Sequence, residues 1–270
     1  MLLVQGNLFA CAERCLDCAT IDEKLSLTDA VARAFEAGAL DTDSAAPPRP
    51  IGPPGRPSRP QLVAPRKVPQ RGLGTALGRA ALVHAVAHIE FNAVNLAWDA
   101  VYRFRGMTID YYRDWIGVAA DEARHFRLLE ARLAELGYRY GDFDAHDGLW
   151  EMAVKTANSC MQRMALVPRV LEARGLDVTP GMIDRLRGAG DPDTVRILEL
   201  ILREEVAHVA AGSRWFAWCC AGAGVDSEAT FAALVAEFAR GAIRGPLNGE
   251  ARRAAGFSES DLASLAALAA

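Results

Sequence analysis

Asp121-Glu122-Ala123-Arg124-His125 and Glu204-Glu205-Val206-Ala207-His208 share one design. Each sets a carboxylate and an imidazole three residues apart inside a long stretch of helical periodicity, so both side chains leave the same helix face about one turn apart. That arrangement chelates metal ions. One Glu-x-x-His arises readily by chance; two copies, each needing a further carboxylate, are a more demanding pattern.

The further carboxylates follow from position. In an antiparallel helix pair, residues at one height lie equally far from the connecting turn. Gly106 reads as such a turn, and Glu90 and Glu122 each lie sixteen residues from it. In the second half, Glu172 and Glu205 flank the Gly188-Ala189-Gly190 break, with a separation of 33 residues against 32 for the first pair. The chain reads as two similar helix pairs, each offering Glu and then Glu-x-x-His.

Glu90, Glu122, His125, Glu172, Glu205 and His208 resemble the ligand set of ferritin-like di-iron or di-manganese carboxylate proteins. The strings HAVAHIEFNAVNLAWD (84–99), YYRDWIGVAADEARHF (111–126), YGDFDAHDGLW (140–150), PRVLEARGLDVTP (168–180) and EEVAHVAAGSRWF (204–216) are similar to the bacterial ferritin-like family DUF455, from about residue 60 onward. The resemblance implies an all-α fold: a ferritin-like four-helix bundle with an N-terminal helical, proline-rich extension and C-terminal helices. It also implies a centre of two iron ions, with manganese or a mixed iron–manganese pair as variants. Glu122 and Glu205 would then be catalytic as well as ligands. The activity implied is that of an O2-dependent hydroxylase or oxidase using an external electron donor, on a small molecule or, by distant similarity to tRNA-hydroxylating ferritin-like enzymes, on modified tRNA. Two other readings stay open: a ferroxidase or iron-handling protein, and a metal-stabilised helical scaffold without catalysis. A homodimer is compatible with all three.

Charge supports two ions. Four carboxylates and two neutral imidazoles carry −4, which two divalent cations cancel. Oxygen-rich ligation without cysteine suits iron(II) or manganese(II) better than structural zinc.

The surrounding chain is that of a globular protein, 51% hydrophobic with a formal net charge of −4, and no apolar run approaches the roughly 18–20 residues a membrane helix needs. Met1 to Gln5 lacks the basic start of a secretory signal, so a cytoplasmic location is expected. Six cysteines are too few for a disulfide scaffold of this length, and Cys11-x-x-x-Cys15-x-x-Cys18 reads as helix packing rather than as an iron–sulfur site. Residues 1–44 suggest two short helices with Leu25, Leu27, Val31 and Phe35 as an apolar stripe and Ser26 or Thr28 as a cap.

Residues 45–71 hold nine of the thirteen prolines and read as an extended, polyproline-like strap. Seven bases and no acid lie between Asp43 and Glu90. Anion contact is one reading; a solvated linker is the favoured one. The bundle is expected over 72–225, with helices at 75–104, 108–136, 147–174 and 191–221. A C-terminal extension over 226–270 would carry helices at 226–243 and 258–268, with 245–253 as a lid.

In the first bundle helix Glu90 interrupts the apolar stripe Val83, Ala87, Val94, Ala97 and Val101, and a lone carboxylate there would cost several kcal/mol to bury. A second stripe, His84, His88, Asn92, Asn95 and Asp99, points elsewhere. It reads equally as pocket lining or as a hydrogen-bonded helix interface. His146 is given a structural hydrogen bond, and Trp215, Phe216 and Trp218 packing roles. In the third helix Glu151 competes with Glu172, depending on whether Gly175 to Pro180 is a turn; Pro168 should bend that helix.

Overall fold

In a computed structural model the chain is predominantly helical, with residues 4–43 and 47–269 described. The start of the leader reading at Met1 to Leu3, the end of the N-terminal segment at 44 and the expected onset of the strap at 45 and 46 lie outside them. Among the described residues no helix is long and apolar enough to cross a membrane. The chain divides into two compact units, Met1–Trp150 and Glu151–Ala270, with the division inside the stretch expected to form one bundle.

The first unit opens with two-residue strand β1 (Gly6–Asn7) and helix α1 (Leu8–Asp17), capped by Asn7, whose side-chain oxygen accepts from the Phe9 and Ala10 N–H groups. Helix α2 (Ile21–Glu36) buries Leu25, Leu27, Val31 and Phe35, as the stripe requires. Its cap position is Thr20, not Ser26 or Thr28, because the helix starts more than a turn earlier than the polar residues suggest. Thr28 lies inside it, accepting from Trp98 Nε1 at 2.9 Å. Strand β2 (Leu40–Asp41) pairs in parallel with β1.

Helices α3 (Ala76–Arg103) and α4 (Ile109–Glu135) form a long hairpin through Gly106, whose φ of 73° is the left-handed turn glycine favours. Thr75 caps α3 by accepting from the Gly78 N–H. From Glu90 to Tyr102 every α3 residue is buried. Most of its polar stripe finds partners inside: Asn95 takes the Lys24 ammonium at 2.7 Å, and Asp99 binds Arg103 through both oxygens, while the Asn92 side-chain oxygen is buried without a partner among the described residues. Lys24 also donates to the Cys15 and Leu16 carbonyls, and burial lowers its pKa to about 8.

The strap is extended and largely exposed, in keeping with a solvated linker, but it is also tied down at particular points. The Gly55 N–H donates to Leu16 O at 2.7 Å, Val63 N–H to Ala145 O at 2.8 Å, and Ala145 N–H to Gln61 O at 3.0 Å. Arg56 turns inward to Asp147 at 2.8 Å. Proline removes donors, and among the N–H groups that remain those of Arg49, Gly55 and Val63 tie the strap down.

In the second unit the expected single helix at 147–174 is broken and extended. Helix α5 (Gly148–Lys155), which begins in the first unit, stops at Thr156–Ser159, where buried Arg163 donates to Thr156 Oγ1 at 2.8 Å and Ala153 O at 2.5 Å. Helix α6 (Cys160–Leu166), capped by Ser159, runs into a π-helical turn (Val167–Glu172) and then helix α7 (Ala173–Gly188). Gly175 does not end the helix, which also carries Pro180 within it and stops at Gly188. Asp191 caps helix α8 (Pro192–Ala223), which ends at Gly224 with φ 66°. Trp215 and Phe216 are buried, but Trp218 is exposed.

Helix α9 (Ser227–Phe238) is shorter than the expected 226–243, and helices α10 (Gly249–Ala254) and α11 (Glu259–Ala269) follow. The 245–253 segment docks on α7: Asp177 accepts the Asn248 N–H at 2.8 Å and the Arg252 guanidinium at 2.9 and 2.6 Å.

Candidate metal centre

The α3–α4 hairpin brings three of the expected ligands together. Glu90, Glu122 and His125 are 3%, 2% and 0% exposed, and one donor atom of each lies within 4.8 Å of the others. His125 Nδ1 is 3.1 Å from Glu90 Oε2 and 3.4 Å from Glu122 Oε2. Burial alone would lower the His125 pKa, but hydrogen bonds and charge from Glu122 and Glu90 outweigh it and pull it up to about 11. Without metal, His125 is thus an imidazolium held between two carboxylates. A buried site that gathers two carboxylates and an imidazole, whose ring nitrogen becomes a donor once its proton leaves, fits a divalent cation taking the proton's place.

The second unit holds the other motif on α8. His208 is buried and its Nδ1 stands 3.7 Å from Glu205 Oε1, beyond hydrogen-bond reach, with the Glu205 side chain 14% exposed. Glu172 is half-buried at the last position of the π turn, whereas Glu151, its rival in the sequence, is exposed on α5. Pro168 shapes that turn. It has no N–H to give and its ring clashes with the preceding turn's carbonyl, so the backbone widens locally. A Cβ on Gly212 would sit 2.4 Å from the Pro168 ring, so glycine there lets α8 approach. Pro168 lies four residues before Glu172, and Gly212 four after His208. In an antiparallel pair this contact sets Glu172 at the level of His208.

The polar stripe of α3 serves the interface reading. His84 Nε2 accepts from the Gly141 N–H at 2.9 Å, and His88 sits 2.8 Å from Tyr140 Oη and 3.1 Å from the His146 carbonyl. The Asn92 side-chain amide nitrogen also lies 2.9 Å from His88 Nε2, so both ring nitrogens are engaged inside the interface. Burial lowers both imidazoles to about 4, so they stay uncharged. His146 itself accepts from the Gly148 N–H. Burial likewise raises the Cys11 and Cys15 thiols, in keeping with packing on α1.

Sequence reasoning missed Arg169. It is 3% exposed, and its guanidinium carbon lies 3.9, 4.6 and 4.9 Å from the ring centres of Phe231, Phe257 and Phe216. The available signal was an arginine three residues before Glu172 in an otherwise apolar run.

The family described as "Protein of unknown function (DUF455)" matches residues 17–263. An uncharacterized protein of Haemophilus influenzae is 45% identical over 213 residues, which cover 76% of this chain and 74% of that protein. No solved structure matches the chain.

Proposed function

The chain belongs to the DUF455 family, and from that premise we propose that it is a ferritin-like di-metal carboxylate protein, acting as a di-iron oxidoreductase that hydroxylates or oxidises an organic substrate with O2. In this reading α3, α4, the α6–α7 segment and α8 are the four bundle helices. Glu90, Glu122, His125, Glu172, Glu205 and His208 are the ligands. The observation that carries it is the buried Glu90–His125–Glu122 triad, because two carboxylates and an imidazole gathered at one point out of water are an oxygen-rich chelating set. The repeat of Glu-x-x-His at a matching distance from its partner carboxylate supports a second ion.

When bound, a pair of Fe(II) ions would supply the two electrons that O2 activation needs, and an external electron donor would restore them. The chain's own residues do the rest. Glu90 and Glu122 gather the charge, and His125 gives up its Nδ1 proton as metal enters. The buried neighbours Ala119, Ala123, Phe126 and Val94 keep water from the carboxylates. Glu172, Glu205 and His208 hold the second ion, and Glu122 and Glu205 are the ligands closest in role across the two motifs.

An anaerobic Fe(II) titration is expected to saturate at two equivalents per chain, and Glu122→Ala to remove that uptake. Two-equivalent binding by the variant, or none by the parent protein, would overturn the reading. Repeated O2 consumption by the loaded protein that depends on an added chemical reductant and does not oxidise added Fe(II) separates an oxidase from a ferroxidase.

A further inference from the structure

The π turn bearing Glu172 is gripped from the C-terminal segment. On its outer side Arg169 donates from Nη2 to Asp261 Oδ2 of α11 at 2.6 Å, inside a cage of Phe216 from α8, Phe231 from α9 and Phe257 from the α10–α11 connection. Asp261 is itself fixed, accepting the Ser258 N–H at 3.1 Å while its own N–H donates to Ser258 Oγ. Past Glu172, Asp177 takes both Arg252 and Asn248. The turn is thus held before and after the carboxylate by residues some 70–90 positions away in sequence.

Pro168 opens the π turn locally, but a turn with one residue more than the helix around it needs leaves the rotation of the next side chain to what packs on it. Packing alone does not call for this cage, since apolar residues of similar volume commonly serve as well as a buried ion pair. A charged, bidentate-capable side chain stacked among three rings does fix a rotational setting.

We propose that Arg169 and Asp261 are positioning residues that set the π turn so that the Glu172 carboxylate meets the metal ion bound with Glu205 and His208. The C-terminal segment is then part of the metal site rather than an appendage packed on it. This rests on the di-metal reading above.

The test is an anaerobic Co(II) titration of the full chain, followed by visible absorption and equilibrium dialysis, on the parent protein, Asp261→Asn, Asp261→Glu and Phe231→Leu. Co(II) reports coordination through its spectrum and accepts similar oxygen and nitrogen donors. The parent is expected to bind two ions. Asp261→Asn should keep the first and bind the second about 10–100-fold more weakly with an altered spectrum, the range typical of lost outer partners of ligands. Asp261→Glu should restore both. Fewer than two ions on the parent protein would sink the di-metal reading and this proposal with it. Two on the parent and an unchanged second ion in Asp261→Asn, or equal weakening of both ions, would overturn the positioning role alone. Where Asp261→Asn does not fold by circular dichroism, Phe231→Leu decides: selective loss of the second ion supports the proposal, and unchanged binding overturns it.

Discussion

Glu122-x-x-His125 and Glu205-x-x-His208 carry the same residues at the same spacing on two long helices, yet they rest differently. In the first, Glu122 is 2% exposed and its imidazole is shared with Glu90 at hydrogen-bond distance. In the second, Glu205 and His208 stand 3.7 Å apart with the carboxylate partly open. The first half is gathered around one shared imidazole; the second is flanked by Pro168 on Gly212 and by Arg169 in its cage. A spacing motif supplies candidate ligands, and their neighbours decide the state in which they wait.

The contrast can be broken most directly at the two histidines. In metal-free protein His125→Ala removes the imidazole that Glu90 and Glu122 share and is expected to cost about 3–5 kcal/mol by denaturant unfolding, the usual penalty for breaking a buried charge pair. His208→Ala should cost less, and equal losses would erase the distinction. Next in size is a pH effect. The folded-state pKa of His125, about 11, lies above the ordinary value near 6.5, so its stabilisation is complete below about pH 6.5 and disappears as pH rises toward 11. The metal-free melting temperature should fall across that window, and it should do so in His208→Ala but not in His125→Ala. Metal affinity should rise over the same range as the competing proton leaves. A flat melting profile would show that no proton is held there.

The second half is sharpened by Gly212→Ala. Its new methyl meets the Pro168 ring, and overpacking of this kind costs about 1–3 kcal/mol. Calorimetry should show the loss, with the second metal ion weakened more than the first; an unshifted transition would mean the turn yields freely. The smallest effect is expected from Glu151→Gln. As an exposed change it should stay within about 0.5 kcal/mol and leave two metal equivalents. Loss of one equivalent would exchange Glu172 for Glu151 as the ligand.

Legibility in the sequence followed the same division. The α3–α4 hairpin was readable to within about a residue at its ends, because Thr75 and Gly106 act locally as cap and turn. The segment from Gly148 to Gly188 was not. Gly175 and Pro180 carry local stop signals that the helix overrides, and the break at Thr156 is stitched by Arg163, whose role depends on a partner seven residues away. The π turn needs Gly212, far along the chain, to make room for it. The candidate ligands were visible because chelation imposes a short-range spacing. Arg169 was not, since its three rings and its aspartate come from separate segments. The histidine stripe of α3 was seen but could not be assigned, because its partners lie on the 140–146 connection.

The strap's backbone bonds to the connection after α4 have a consequence for the order of assembly. Val63 and Ala145 meet only once the whole hairpin between them has been made, so this clasp closes late, after a loop of some eighty residues is already compact. During synthesis the strap emerges first and must wait. A proline-rich stretch waits safely, because it has few free N–H groups with which to pair with another chain, and its arginines keep it hydrated until the seat is ready.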